Sequence, residues 1–228
     1  MRRAGLPVLV MAVGLAACSS SSTGGGFSIA RAPVSGNDQI GPPNQQLGGP
    51  LFAKVFDANG QPAARVLVAW RVSRGVITDT SRTGSDGIAS ATWTMGDAVI
   101  ARADTAFAIV QGSGTSTAIF GAFAVSSGVT VVTITNNAFT PSNLTIASGN
   151  AVAWLWMSDA RDHNVVPVGG TQPPTSGPPR DGPYAYQVPF ADAGTFNYQC
   201  AVHGGSGMTG RVTVTGGPPP APGRLMAR

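Results

Sequence analysis

The chain has 228 residues and a formal net charge of +4, and this length suits two domains of ordinary size. All 10 acidic residues are Asp, and Lys54 is the only lysine, whereas long surface helices normally carry Glu and Lys. We therefore expect little helix, and short runs of Val, Thr, Ile and aromatic residues between Gly and Pro predict an all-β protein. The lack of basic runs in the sequence speaks against nucleic acid as a partner.

The first residues have the pattern of a targeting signal. Two arginines, Arg2 and Arg3, precede the apolar run 6–17, which is too short to span a bilayer as a mature helix. The run ends in Leu-Ala-Ala-Cys at Cys18 and is followed by serines. This pattern resembles a bacterial lipoprotein signal peptide, which implies removal of residues 1–17, diacylation of Cys18 and a mature net charge of 4 − 2 = +2. An ordinary signal peptide with a chance cysteine is the alternative.

Residues 18–26 then form the lipidated cysteine and a flexible Ser/Gly-rich tether. Acyl chains anchor a protein to a membrane without spanning it, so we expect an extracytoplasmic, lipid-anchored protein. Ser19 in place of Asp favours the outer membrane or the periplasmic face. Cys200 is the only other cysteine, and a lone cysteine outside the cytoplasm is expected to be reactive or metal-bound.

Residues 27–125 predict a first β domain. Its strands are predicted at Leu51–Asp57, Val66–Val72, Ile88–Thr94, Ala101–Val110 and Thr115–Ala124, with a hairpin turn at Asn59-Gly60. The order of Asp-Ala-Asn-Gly-Gln-Pro, a strand with Trp70 and a later Trp-Thr-Met-Gly resembles the bacterial Ig-like repeats of invasin- and intimin-type surface proteins. The resemblance implies an N-terminal Ig-like β-sandwich. Its sequence has no His, Cys or Glu, which favours a spacer or docking role.

Residues 126–216 predict a second β domain after the boundary Ser126-Ser127-Gly128. Strands are predicted at Val129–Thr135, Phe139–Ile146, Ala151–Met157, Tyr184–Phe190, Thr195–Cys200 and Arg211–Thr215. The run 151–157 is apolar on both faces, which predicts a buried central strand. Repeated Pro and Gly in 169–182 predict a loop, and residues 217–228 predict a disordered tail.

The segment near the C-terminus carries Cys200, His203 and Met208 in the spacing C-x2-H-x4-M. The chain has 2 histidines, and the other is His163. A thiolate, two imidazoles and a weak thioether are the ligand set of a blue-copper centre. The sequence therefore predicts one copper ion bound by these four residues.

The local sequence suggests how the four ligands converge. Glycines at 204, 205 and 207 are expected to let the loop between Cys200 and Met208 fold back. His163 is expected to end the strand that contains Trp154 and Trp156, beside the Cys200 strand of the sandwich.

Five stretches then carry a more specific resemblance. Asn136–Pro141, Gly149–Trp154, Asp162–Val166, Gly194–Cys200 and C-x2-H-x4-M occur in the order found in the plastocyanin/pseudoazurin branch of the cupredoxins. The resemblance covers residues 129–215 and implies a Greek-key β-sandwich that cycles one copper ion between Cu(I) and Cu(II). It implies the ligands His163, Cys200, His203 and Met208, with Asn164 hydrogen-bonding near the Cys sulfur.

The family resemblance also implies a route for electrons. His203 would be the conduit to redox partners such as c-type cytochromes or membrane oxidoreductases docking near it, and His163 would be more buried. The loop 169–182 departs from plastocyanins in sequence.

Other functions remain as alternatives. Zinc competes for two His and one Cys, but Met is a poor zinc ligand and the loop has no carboxylate. Two histidines are too few for a multicopper oxidase or a copper nitrite reductase, so we expect no enzyme activity. The main hypothesis is a membrane-anchored one-electron carrier. The alternatives are a copper buffer or chaperone, and a structural or adhesive surface lipoprotein.

Overall fold

A computed structural model describes residues 26–111 and 115–216. The predicted signal peptide, Cys18, nearly all of the tether and the predicted tail 217–228 lie outside these residues. Within the described ranges the regular structure is β-strand with one short 3-10 turn, which confirms the all-β prediction. No helix in this part of the chain is long and apolar enough to cross a membrane.

The N-terminal domain is built from two main sheets. Its strands are β1 (Ser28–Arg31), β2 (Gln39–Gly41), β3 (Leu51–Phe56), β4 (Leu67–Val72), β5 (Val76–Ile77), β6 (Thr80–Arg82), β7 (Ile88–Ala91), β8 (Trp93–Thr94), β9 (Arg102–Gln111) and β10 (Thr115–Ala124). One sheet has the order β1-β3-β7 and the other β2-β10-β9-β4-β6, with β5 and β8 forming a short ribbon. The long β9–β10 pair is antiparallel throughout.

Alternation along these strands places the core between the two sheets. In β3 every second residue is buried, and in β4 Val68 and Trp70 are fully buried, as the period-two pattern predicted. Asn59-Gly60 forms the predicted turn, with Gly60 at φ 74° and an antiparallel bridge between Phe56 and Pro62 across it, but β3 and β4 belong to different sheets. The segment after the turn instead carries the chain from one sheet to the other. The Ig-like assignment of this sandwich stays a prediction.

The C-terminal domain is a second sandwich of two four-stranded sheets. Its strands are β11 (Val129–Thr135), β12 (Ala138–Thr140), β13 (Asn143–Ala147), β14 (Ala151–Trp156), β15 (Val166–Val168), β16 (Tyr184–Pro189), β17 (Gly194–Gln199) and β18 (Thr209–Thr215). The sheet orders are β12-β11-β14-β16 and β13-β18-β17-β15. The pairs β11–β14 and β13–β18 are parallel, so the chain changes sheet repeatedly.

Strand β14 is buried on both faces, as its apolar sequence predicted. Trp154 and Trp156 face the core of the C-terminal sandwich, where Trp154 packs edge to face on Tyr198. Ala153 and Leu155 face the other way and are fully buried against the N-terminal domain. The second buried face is therefore an interface between the two domains, which the sequence did not indicate.

Candidate metal centre

Cys200 directly follows β17, at the end of the sandwich. Its side chain is fully buried, and its backbone N–H donates to the carbonyl of Met208 at 3.1 Å. Because β17 and β18 pair antiparallel up to Gln199 and Thr209, this bond closes the loop that joins them. The two ends of C-x2-H-x4-M are thus held together by the hairpin itself.

The loop is compact because its backbone groups bond to one another. The N–H of Gly204 donates to the Cys200 carbonyl at 2.8 Å, and the N–H of Met208 donates to the His203 carbonyl at 3.1 Å. A 3-10 turn spans Gly204–Ser206 and ends at Gly207, whose φ of 93° favours glycine. The predicted role of glycine in folding the loop back therefore holds at Gly207. At Gly205 an added Cβ would meet nothing within 4 Å.

Met208 is brought to the same end of the core. Its side chain is 2% exposed and belongs to the buried cluster that also contains Cys200. The hydrogen bonds of its backbone to Cys200 and His203 place its Cα beside the other two loop residues.

His163 reaches the site by a different route from the expected one. It does not end β14: it lies in the connection between β14 and β15, where the chain crosses from one sheet to the other. The strand beside Cys200 is β15, because Val166 pairs with Gln199. Crossing between the sheets at the end of the sandwich is what points His163 towards Cys200.

The backbone of His163 is fixed by the loop that the sequence singled out for its prolines and glycines. Its N–H and carbonyl both pair with Arg180, at 3.1 and 3.0 Å. The carbonyl also accepts the indole N–H of Trp156 at 2.9 Å. Nε2 of His163 lies 3.3 Å from the backbone nitrogen of Asn137, which leaves Nδ1 turned towards Cys200. Both residues lie in stretches that the sequence analysis singled out, but no sequence pattern indicated a role beside His163 for either Arg180 or Asn137.

The three nitrogen and sulfur donors converge on one point. His163 Nδ1 and His203 Nδ1 are 3.1 Å apart, and Cys200 Sγ lies 3.8 Å from the first and 3.5 Å from the second. Bonds of about 2.0 Å to nitrogen and about 2.3 Å to sulfur let a single ion reach all three donors at these separations. The donor set therefore fits one soft transition-metal ion.

One side of the site is buried in the core, and the other side is partly exposed to solvent. His163 is 1% exposed and Cys200 is fully buried, whereas His203 is partly exposed beside Val202, which is 55% exposed. Burial, and then the neighbouring His203, lowers the pKa of His163. A lowered pKa keeps the imidazole neutral, with a lone pair for a metal.

Asn164 joins the two segments that carry the donors. Its Oδ1 accepts the N–H of Ala201 at 2.8 Å, next to Cys200, and its Nδ2 donates to the Gly177 carbonyl at 3.0 Å. The side chain is buried, at 3% exposure. Asn164 thus braces the Cys200 loop against the His163 segment through the backbone of Ala201, whereas its hydrogen bond near the Cys200 sulfur, which the family resemblance implies, stays a prediction. Such supporting contacts orient metal ligands.

Comparisons with known proteins indicate the family to which this chain is similar. The family described as copper-binding proteins of the plastocyanin/azurin family matches residues 126–215. Chloroplastic plastocyanin of Silene latifolia subsp. alba is 38% identical over 87 residues, which are 34% of this chain. The match spans 52% of that plastocyanin, about half of its length.

Amicyanin of Paracoccus denitrificans is 33% identical over 97 residues, which cover 42% of this chain and 72% of that protein. Among solved structures, a reduced amicyanin variant is 31% identical and aligns with 40% of this chain and 86% of its own, at a TM-score of 0.33. The family match at residues 126–215 lies in the C-terminal sandwich.

Proposed function

Because the chain belongs to the plastocyanin/azurin family of copper-binding proteins, we propose that it is a type 1 (blue) copper protein that carries single electrons between extracytoplasmic redox partners. The cofactor of the family is one copper ion. The observation that carries the proposal is the convergence of His163, Cys200 and His203, whose donor atoms all lie within 4.8 Å of one another.

We assign the copper ligands to His163, Cys200, His203 and Met208. When bound, copper supplies a one-electron couple between Cu(I) and Cu(II) that thiolate and imidazole ligands can hold in both states. The protein contributes a fixed frame: Cys200 is held by the β17–β18 hairpin, and His163 by Arg180 and Trp156. Ligands fixed in this way move little between oxidation states, which favours fast electron exchange.

Electrons would enter and leave at His203. It is the more exposed of the two histidines, and the exposed side chain of Val202 lies next to it, whereas His163 is sealed in the core. Redox proteins such as c-type cytochromes or membrane oxidoreductases would dock there. With both histidines in the metal cluster, the proposed role is electron transfer rather than catalysis.

The proposed domain organisation follows the sequence and the two cores. Residues 27–125 and 126–216 each surround their own buried cluster, which supports an N-terminal Ig-like domain and a copper domain. The Leu-Ala-Ala-Cys motif supports a signal peptide at 1–17, lipidation of Cys18 and a tether to residue 26. We propose that this lipid holds the protein on a membrane outside the cytoplasm.

The two cysteines of the chain provide a matched pair of variants. The copper-loaded full chain should show the intense blue colour of thiolate-bound Cu(II), and Cys200→Ser should abolish it because the thiolate is lost. Cys18→Ser should leave the absorption spectrum unchanged and release the protein from membranes.

Two results would count against the proposal. A colourless copper-loaded wild-type protein would contradict the blue-copper assignment. A blue protein that releases copper reversibly but does not exchange electrons rapidly with c-type cytochromes would instead be a copper buffer.

A further inference from the structure

The two domains meet over a shared apolar cluster and a hydrogen bond. The cluster joins Ala101, Phe123 and Val125 of the N-terminal domain to Ala153, Leu155 and Met157 of the copper domain, all at most 9% exposed. The N–H of Ala101 also donates to Oε1 of Gln187 at 2.8 Å. The apolar cluster stabilises the contact between the two domains, and the hydrogen bond fixes how they are aligned.

A polar junction lies beside this cluster. The carboxylate of Asp38 accepts the backbone N–H of Ser158 at 3.0 Å and its hydroxyl at 2.6 Å. Asn37 braces the carboxylate through Nδ2 at 2.8 Å, and the N–H of Asp38 donates to the carbonyl of Gly121 at 2.8 Å. An added Cβ at Gly121 would lie 2.8 Å from both Asp38 Oδ1 and Ser158 Oγ, so the two domains are in direct contact here.

Ser158 begins the segment that leads to His163. Its carbonyl accepts Nη1 of Arg161 at 2.9 Å, and the N–H of Ala160 donates back to Met157 at 3.0 Å. The far end is fixed by the pairing of His163 with Arg180. The segment 158–163 is therefore held at its start by the other domain and at its end by the copper domain.

The backbone conformation and the burial of Asp38 are both energetically unfavourable for an aspartate. A role for Asp38 beyond packing would explain why it lies there. Its backbone lies in the left-handed region, at φ 61°. Burial raises the pKa of its carboxyl even though Ser158 donates two hydrogen bonds to it. Such costs are retained where the surrounding structure requires them.

We propose that Asp38 is a positioning residue for the copper site, which fixes Ser158 and through it the segment that carries His163. The proposal rests on the proposed function, because it assigns the N-terminal domain a part in holding a copper ligand. The N-terminal domain is then a component of the frame around the metal, in addition to the spacer or docking role that its sequence favours.

Two variants of the full chain test this role. Asp38→Gly removes the carboxylate and fits the left-handed backbone, and Ser158→Ala removes the hydroxyl donor while keeping the backbone one. In the copper-free protein, amide hydrogen exchange at residues 159–165 should become faster in both variants. In the copper-loaded protein the reduction potential should shift, and copper should be lost to a chelator about tenfold faster, as is typical when contacts that orient a ligand are removed.

Asn44→Gly is the matched control, because Asn44 is exposed and has a φ of 59° in the same domain. It should leave the exchange rates and the potential unchanged. The double variant Asp38→Gly/Ser158→Ala should be little worse than Asp38→Gly alone, because both changes remove the same contact.

Wild-type exchange rates and potential in Asp38→Gly would overturn the proposal. If Asp38→Gly does not fold, Ser158→Ala decides the matter by the same measurements. A wild-type protein that binds no copper would contradict the proposed function, and the exchange rates of the copper-free variants would still test the positioning role.

Discussion

Tyr198 lies two residues before Cys200 and fills the core behind the metal site. Its ring is fully buried and packs edge to face on Trp154 and Phe139, with ring centroids 5.2 and 5.0 Å away. In the described part of the chain, neither its hydroxyl nor the indole nitrogen of Trp154 has a hydrogen-bond partner of good geometry. Burial raises the pKa of Tyr198 from 10.0 to about 12. The phenol is therefore held neutral in the folded protein.

The raised pKa makes stability depend on pH in the alkaline range. Between pH 10.0 and about 12, the folded protein keeps the phenol proton of Tyr198, whereas the unfolded chain releases it. The stability that the neutral phenol contributes is therefore complete below pH 10.0 and is lost as the pH rises through about 12. The loss should be on the order of 2–3 kcal/mol. Tyr198→Phe should remove this part of the alkaline destabilisation, as measured by urea unfolding at neutral pH and within that window.

Tyr184→Phe is the control, because Tyr184 is half-buried at the edge of the sheet, on β16. If Tyr198→Phe and the wild-type protein lose the same stability across the window, Tyr198 does not titrate as its burial indicates.

At the scale of elements, the β17–β18 hairpin places two of the four proposed copper ligands. It holds Cys200 and Met208 at the two ends of one loop, and its register sets Gly210 opposite Tyr198. An added Cβ at Gly210 would overlap the Tyr198 ring, although the φ of Gly210 is not in the left-handed region. Glycine is required there to make room for the aromatic ring and not for its backbone freedom.

Gly210→Ala should therefore lower the free energy of unfolding by about 1–3 kcal/mol, the usual cost of overpacking a core. The displaced Tyr198 should also disturb Cys200 and alter the absorption spectrum of the copper-loaded protein. Chemical denaturation and visible spectroscopy measure the two effects.

Gly205→Ala, in the ligand loop itself, should change neither property, because an added Cβ there meets nothing within 4 Å. Equal effects of the two substitutions would show that proximity to the loop, and not the contact with Tyr198, controls stability.

At the scale of the whole molecule, the copper domain does not present a complete surface of its own. Leu155 and Ala153 of β14 are fully buried only because the N-terminal domain covers that face of the sheet. Removing the N-terminal domain would expose this apolar strip. The two domains are therefore expected to stabilise each other.

A polar substitution on this face should lower the free energy of unfolding by different amounts in the full chain and in residues 126–216 alone. In the full chain, Leu155→Ser should lower the free energy of unfolding by about 2–5 kcal/mol, the range for deleting a buried leucine side chain. In residues 126–216 alone it should cost much less and improve solubility, since Leu155 would already be exposed. Urea unfolding of all four proteins measures the difference.

Leu67→Ser serves as the control in the full chain, because Leu67 is 49% exposed. The same cost for Leu155→Ser in both contexts would show that the domain contact does not bury this face in solution.

Much of the site could be predicted from the sequence because few residues were available for it. With two histidines and one cysteine beyond Cys18, His163, Cys200 and His203 were the only donors of their kind, and the structure brings all three together. The apolar runs likewise predicted the strands. Alternating apolar residues indicate a strand with one buried face, and a continuous apolar run indicates a strand with two buried faces. Asp38 could not be found this way, because the order Gly36-Asn37-Asp38 has the pattern of an ordinary turn.

The sequence by itself determined the all-β class, the order of the proposed ligands and the kind of metal they suit, because residue chemistry and local periodicity are properties of the chain alone. Only the tertiary structure decided how His163 reaches Cys200, through a crossing between sheets held by Arg180, and what covers the second face of β14. Both depend on contacts between residues far apart in the sequence. Such contacts leave no local pattern, because each partner alone has the composition of a common loop or strand.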